Sequence, residues 1–479
     1  MKWLRSWLKW LYPGMRVKRW MALTFLGVIL VILGAGLSAN LGILKYFDAV
    51  DDFAVFVWTT IGLDLQSPRR IVILGIGIAI VGFSLILASI IQFNRSVLAA
   101  VAPDVRENLA ERIFSRVSLS HGQKIVVLGG GTGLSTMLRG LKEYTSNIVA
   151  VVTVTDNGGS SGRLMEQMRM LPPGDLRNCL VALADAEPTL SRLFQYRFSE
   201  DHEGLGGHSF GNLFIAAMTA IFDGNYEEAI TATSKVLAIR GRVYPSTTQD
   251  VTLLAEMDDG SVVEGETQIA ENPLPILKMY LRPENAQPLP EVLAAIEEAD
   301  AIILGPGSVF TSVVPNLLVD GVVEAISRSK AAKIYVCNVM TQPGETDGFK
   351  ASDHIRVLAD HSRGHHLFSH VLVNKEKPAA DLLARYDRYK QHFVEPDLDH
   401  IRAMGYTPVA GNYISDTQVV RHDSEKLAAA IFKIMMRRGV PFAPTVRGIS
   451  RHTATRAKRR RNPAEEPQPL TDHKPVTKS

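Results

Sequence analysis

The chain has 479 residues and a formal charge of +3, from 52 Lys and Arg against 49 Asp and Glu, a length that predicts two or three structural units rather than one. Its two cysteines, Cys179 and Cys337, are far apart and outside any CxxC or His-rich setting, which excludes a disulfide-stapled scaffold and a structural zinc site. A hydrophobic content of 46% excludes wholesale disorder.

Charge is unevenly placed. Residues 1–19 hold six basic residues and no acid, and residues 447–479 hold nine basic residues with Glu465, Glu466 and Asp472. Each end is therefore +6, and residues 20–446 are left at −9. A body of that sign excludes nucleic acid as a partner. The basic ends suit the anionic inner leaflet of a membrane, or plain solubility.

Residues 20–44 and 71–91 carry no charge at all. Each is long enough to cross ~30 Å of hydrocarbon at ~1.5 Å per residue. The first run is too long and starts too late for a cleaved signal peptide. Six basic residues precede it; Arg95, Arg106, Arg112 and Arg116 follow the second run. The connecting loop has Lys45, Arg69 and Arg70 with Asp48, Asp51, Asp52 and Asp64. Basic-residue asymmetry therefore predicts a two-span hairpin with both termini cytoplasmic. Ahead of it, Trp3, Leu4, Trp7, Leu8 and Leu11 form one helical stripe, the pattern of a short helix in the headgroup plane or of a basic flank.

After a polar linker at 94–122 the pattern changes. KIVVLGG (124–130), NIVAVVTVT (147–155), AIILG (301–305), KIYVCNV (333–339) and HVLVN (370–374) are short apolar runs separated by helical stretches. This alternation predicts an α/β domain over 123–440 with a mostly parallel sheet covered on both faces. Period-2 alternation in DVTLLAEMDDGSVVE (250–264) predicts an inserted β-hairpin turning at Asp259-Gly260. Residues 441–479, rich in Pro and Arg, read as a disordered tail.

Candidate site residues gather at the ends of the apolar runs. GGGTGLS (129–135) follows the first, and Gly130, Gly131, Thr132 and Gly133 offer a backbone that turns sharply and brings N–H groups to a phosphate. The loop lacks the Gly-Lys-Ser/Thr of a Walker A motif and departs from the strict dinucleotide pattern. Asp156 and Asn157 end the second run and lead into Ser160, Ser161 and Arg163. An acid here suits a ribose hydroxyl or, alone, a helix cap. PPGDLRNCL (172–180) brings Asp175, Arg177 and Asn178 to a helix start. GLGGHSFGNLF (204–214) puts His208 and Asn212 four apart, on one face if the helix starts early. Gly305, Pro306, Gly307 and Ser308 form a further anion-receptive turn, and NVMTQPGETDG (338–348) adds Glu345. Together they predict a nucleotide-type site along one sheet edge.

This set of motifs resembles the bacterial gluconeogenesis factor family, related to the 2-phospho-L-lactate transferases, over about residues 123–440. The resemblance implies a Rossmann-like fold and binding of a nucleotide diphosphate compound. In one branch that is a UDP-sugar such as UDP-N-acetylglucosamine; in the other it is a guanosine diphosphate-linked lactyl donor. The phosphate-loop role maps onto Gly130, Gly131, Thr132 and Gly133, the acidic strand end onto Asp156 and Asn157, and the second turn onto Gly305, Pro306, Gly307 and Ser308. The implied function is a membrane-tethered regulator linking gluconeogenic growth to cell shape and envelope synthesis through envelope-synthesis protein partners. The alternative is a phospholactyl transferase, for which Asp156 and Asp175 would hold Mg²⁺. No activated nucleophile is legible, and self-association of the chain stays open.

Overall fold

The computed structural model describes residues 18–38, 68–101, 117–185, 187–202, 204–415 and 419–440. The expected amphipathic segment before residue 18, the external loop, most of the linker and the tail lie outside the described residues. The chain divides into two compact units, Met1–Ile113 and Phe114–Ser479.

In the first unit, helix α1 (Lys18–Ser38) packs along helix α2 (Pro68–Val101). Both are long and apolar enough to cross a membrane, over Arg19–Ser38 and Val72–Ser96. Small residues set their spacing. A Cβ at Gly34 would lie 2.5 Å from the Gly75 carbonyl, and one at Gly82 would lie 2.7 Å from the Gly27 carbonyl. The backbones thus meet at glycine, as apolar helices do where dispersion rather than water drives packing. Thr24 Oγ1 and Ser89 Oγ hydrogen-bond at 2.6 Å within the pair, while Phe25, Ile73 and Phe83 point outward. Helix α2 runs on to Val101, into what the sequence reads as linker.

The second unit is built on a seven-stranded parallel sheet. Strands β1 (Ile125–Gly129), β2 (Ile148–Val152) and β3 (Arg242–Pro245) run outward on one side of β1. On the other side β1 pairs with a strand that comes later in the chain, beyond an inserted unit. The inserted element is larger than the expected hairpin: β4 (Thr252–Met257) pairs antiparallel with both β5 (Val262–Glu264) and β6 (Ile276–Arg282). The main sheet then resumes with β7 (Ala301–Leu304), β8 (Ala332–Val336), β9 (His370–Asn374) and β10 (Thr407–Gly411). Its order is β10-β9-β8-β7-β1-β2-β3.

The sequence runs map onto β1, β2, β7, β8 and β9, while β3, β6 and β10 are additions that short or mixed runs did not signal. The continuous β-branched runs reflect burial on both faces: Ile125, Val127 and Leu128 are fully buried, each contributing about 1.5–3 kcal/mol. Leu128 pairs with Val151 on one side and Leu304 on the other. Strand order reverses between β1 and β7, which opens a crevice beyond their carboxyl ends.

Candidate functional site

Two glycine turns meet in that crevice. The first runs from β1 into α3 (Gly131–Leu141), the second from β7 into a π-helical turn (Val309–Val313). Their glycines do different work. Gly131 has φ +66°, and a Cβ there would meet only Ser312 Oγ, at 4.0 Å; this glycine faces the open crevice. A Cβ at Gly133 would instead lie 2.7 Å from the Pro306 carbonyl, so this glycine lets the two turns pack against each other. Asn338, just after β8, secures the second turn: its side chain accepts from Gly307 N–H at 3.2 Å and donates to the Gly307 carbonyl at 2.7 Å.

The crevice is a cleft of about 450 Å³. Gly130, Gly131, Thr132, Gly133, Pro306, Gly307 and Ser308 line it, as the sequence predicts; Gly305 lies behind the turn. The opposite wall holds Tyr386, Val420 and His422. Tyr386 Oη accepts the Val420 N–H at 3.0 Å, and burial pushes His422 down to about 4, leaving a neutral imidazole.

Carboxylates crowd one end: Glu266 and Glu345 line the cleft, while the predicted Asp156 and Asp175 lie outside its lining, close to the first glycine turn. Asp175 lies in the first turn of helix α5 (Pro173–Leu183), which follows α4 (Gly159–Met168). It accepts the Gly131 N–H at 2.6 Å, while burial and repulsion from Asp156 push it up to about 6. Asp156 Oδ1 accepts the Gly158 N–H at 2.9 Å. Glu266 is the first residue of the helix Glu266–Glu271, which follows β5 in the inserted unit. Burial and repulsion from Asp156, Asp175 and Glu345 push it up to about 8. Glu345, which accepts from Ser308 and Thr311, is pushed up to about 6 by burial. Among the described residues, no group of three or more His, Cys, Asp or Glu side chains is arranged to hold a metal.

The remaining predicted residues form the support behind the cleft. Asn157 turns to the inserted unit, accepting from Thr267 N–H and Oγ1 at 3.0 and 3.1 Å and donating to Gln268 at 3.0 Å. Helix α6 (Glu187–Gln195) precedes α7 (Phe210–Ile221), whose N-cap is Ser209. His208 therefore precedes the helix and shares no helical face with Asn212. Both nevertheless meet Ser160: its hydroxyl hydrogen-bonds His208 Nδ1 at 3.0 Å and accepts from Asn212 at 3.0 Å. Ser161 is buried beside Gly174, and Arg163 lies beside Gly207. Asn178 accepts from Arg177 at 3.0 Å, away from the main cleft.

Sequence reasoning missed Glu266 and His422 as cleft residues. Glu266 comes from an insertion, and no local motif marks it. RHDS (421–424) carries a helix-cap signal, because Asp423 caps the C-terminal helix Ser424–Arg437, and its neighbours Arg421 and His422 reach the cleft.

Residues 125–414 match the family model for 2-phospho-L-lactate transferase CofD. A gluconeogenesis factor homologue from Nostoc sp. is 46% identical over 90% of this chain and 93% of its own. The gluconeogenesis factor of Bacillus subtilis is 45% identical over 65% of this chain and 98% of its own. A crystal structure of a UPF0052-family protein from Bacillus halodurans superposes with a TM-score of 0.62 at 45% identity, covering 65% of this chain and 99% of that one. The chain belongs to the gluconeogenesis factor family.

Proposed function

We propose that this member of the family binds a UDP-sugar of the UDP-N-acetylglucosamine type and acts as a regulator at the membrane, linking gluconeogenic growth to cell shape and envelope synthesis. The observation that carries the reading is the cleft at the strand-order reversal, lined by two glycine turns. Its volume of about 450 Å³ suits a ligand of this size. Gly131 leaves room for a diphosphate, and the N-terminus of α3 favours its charge. The wall that holds Tyr386 offers its aromatic ring to the rest of the ligand.

A diphosphate next to Asp156 and Asp175 needs a cation between them. Mg²⁺ is commonly held by one or two carboxylates, with phosphate oxygens and waters completing its shell, so these two acids suit it without a closed protein cage. In this proposal both termini are cytoplasmic, the two apolar helices cross the membrane, and the domain works beside the inner leaflet with envelope-synthesis proteins as partners.

A phospholactyl transferase is the second reading. Favouring it, Glu266, pushed up to about 8, holds its proton at neutral pH inside the cleft, as a general acid does. Incubation with UDP-N-acetylglucosamine, or with a guanosine diphosphate-linked lactyl donor, plus Mg²⁺ and hydroxyl acceptors separates the two by mass spectrometry. The regulator leaves every ligand intact. Steady product formation, abolished by Asp156→Asn, would establish the transferase instead.

A further inference from the structure

Behind the glycine turn of β1 lies a second, smaller cavity of about 50 Å³, between helices α3, α5 and α6. Thr132 and Arg421 line both this cavity and the main cleft, so the two are neighbours at the first residues of the phosphate-type loop. Helical spacing builds the walls. Thr132, Ser135 and Arg139 recur at three and four residues along α3, and Asn178 and Val181 do so along α5. Three arginines reach this pocket, Arg139, Arg177 and Arg421, and none of the described residues lining it is acidic.

Arg177 shows what the pocket lacks. Its Nη1 donates to Ser209 at 2.5 Å and to Asn212 at 3.0 Å, and Nη2 donates to Asn178 at 3.0 Å. All three acceptors are uncharged. Its Nε is buried and has no hydrogen-bond partner. Burial, first, and the nearby Arg197 lower its pKa, and the carboxylates of Asp175 and Asp156 offset this only in part. No carboxylate hydrogen-bonds this guanidinium, and its unused buried donor is costly unless an acceptor reaches it; an anion in the pocket would supply one. A purely structural clip between α5 and α7 would need the bonds to Ser209 and Asn212, but it gives no reason for Nε to stay buried and unpaired, nor for two further arginines to face the same small space.

We propose that this cavity is a second oxyanion subsite, taking a phosphate or carboxylate group on Arg177 with Arg139, Arg421 and the Gln195 amide around it. The anion is either a further charged group of the molecule seated in the main cleft or a separate small oxyanion.

Calorimetric titration of the full chain in detergent with inorganic phosphate tests this. The Gly131→Val background is used because it obstructs the glycine turn as a competing phosphate site. Phosphate binds that protein, and Arg177→Gln added to it weakens binding about tenfold or more, as loss of a charged hydrogen-bond donor does. Arg139→Gln on the other wall also weakens it and decides the matter if Arg177→Gln does not fold. Two further titrations, with UDP-N-acetylglucosamine and with UDP-glucuronate, are made on the native chain to identify the source of the anion. Phosphate competing with the glucuronate alone identifies the ligand's own carboxylate; phosphate binding alongside both identifies a separate anion. Absence of phosphate binding, or binding unchanged in folded variants at both arginines, would overturn the proposal whether or not either nucleotide binds.

Discussion

The Oδ2 atom of Asp175 accepts the backbone N–H of Gly131 at 2.6 Å, so the loop that closes β1 already holds an anionic group supplied by the protein. A diphosphate entering the same loop meets this carboxylate and, close by, that of Asp156, whose charge helps push Asp175 up to about 6. Binding without a cation would set like charges together. UDP-N-acetylglucosamine is therefore expected to bind at least about tenfold more tightly with Mg²⁺ than with chelator. Asp175→Asn and Asp156→Asn should each remove most of that difference. Equal affinity with and without Mg²⁺ in the native chain would show that the acids hold no metal.

The neighbouring glycines Gly131 and Gly133 separate binding from folding. At Gly131 a side chain would enter the cleft from a backbone at φ +66°; at Gly133 it would strike the Pro306 carbonyl. Gly133→Ala is expected to destabilise the domain by about 1–3 kcal/mol, because two packed backbones must move apart. Gly131→Val meets no packed atom but is strained at φ +66°, and in the protein that folds it should lose nucleotide binding by more than about tenfold. Thermal melts and calorimetry on the pair check this, and unchanged affinity in Gly131→Val would mean the turn contacts no ligand.

Stability should fall on the alkaline side. Glu266 keeps its proton to about pH 8, and Asp175 and Glu345 to about 6, all above the ordinary carboxyl range. A folded state that holds protons more tightly than the unfolded chain gains stability at low pH and loses it as pH rises through the folded value. Burial lowers His422, which works in the opposite sense but acts below about pH 6.5, where the unfolded chain's histidine protonates. From about pH 7 to about pH 9 the ligand-free protein should therefore lose about 2–5 °C in Tm. Glu266→Gln, which has no proton to lose, should flatten that slope. A Tm that rises over this range would contradict the assignment.

How far the sequence discloses the molecule depends on how local each signal is. β1, β2, β7, β8 and β9 are buried on both faces and show as unbroken apolar runs. β10 carries a proline, and β3 (RVYP) opens on an exposed arginine and ends on a proline, so neither reads as an unbroken apolar run. The glycine turns are contiguous motifs, and their meeting follows from strand order. Glu266 reaches the cleft through an insertion whose link to the second strand end, Asn157 to Thr267, spans 110 residues. His208 and Asn212 are associated, but through the Ser160 hydroxyl rather than a shared helical face. No spacing rule connects positions 48 and 52 residues apart.

Membrane orientation has its own test. The basic-residue asymmetry around the apolar helices predicts the segment between them outside and both termini inside. A membrane-impermeant thiol reagent applied to intact cells should label an engineered Ser67→Cys and leave a cysteine in the C-terminal tail unlabelled. The reverse pattern would overturn the hairpin orientation.

The central claim, a nucleotide diphosphate-sugar in the cleft between the turns of β1 and β7, is tested most directly by calorimetry on the full chain with Mg²⁺, comparing UDP-N-acetylglucosamine, GDP and NAD. UDP-N-acetylglucosamine should bind most tightly, with that binding lost in Gly131→Val. NAD binding more tightly than both other compounds, through the same turn, would contradict the account.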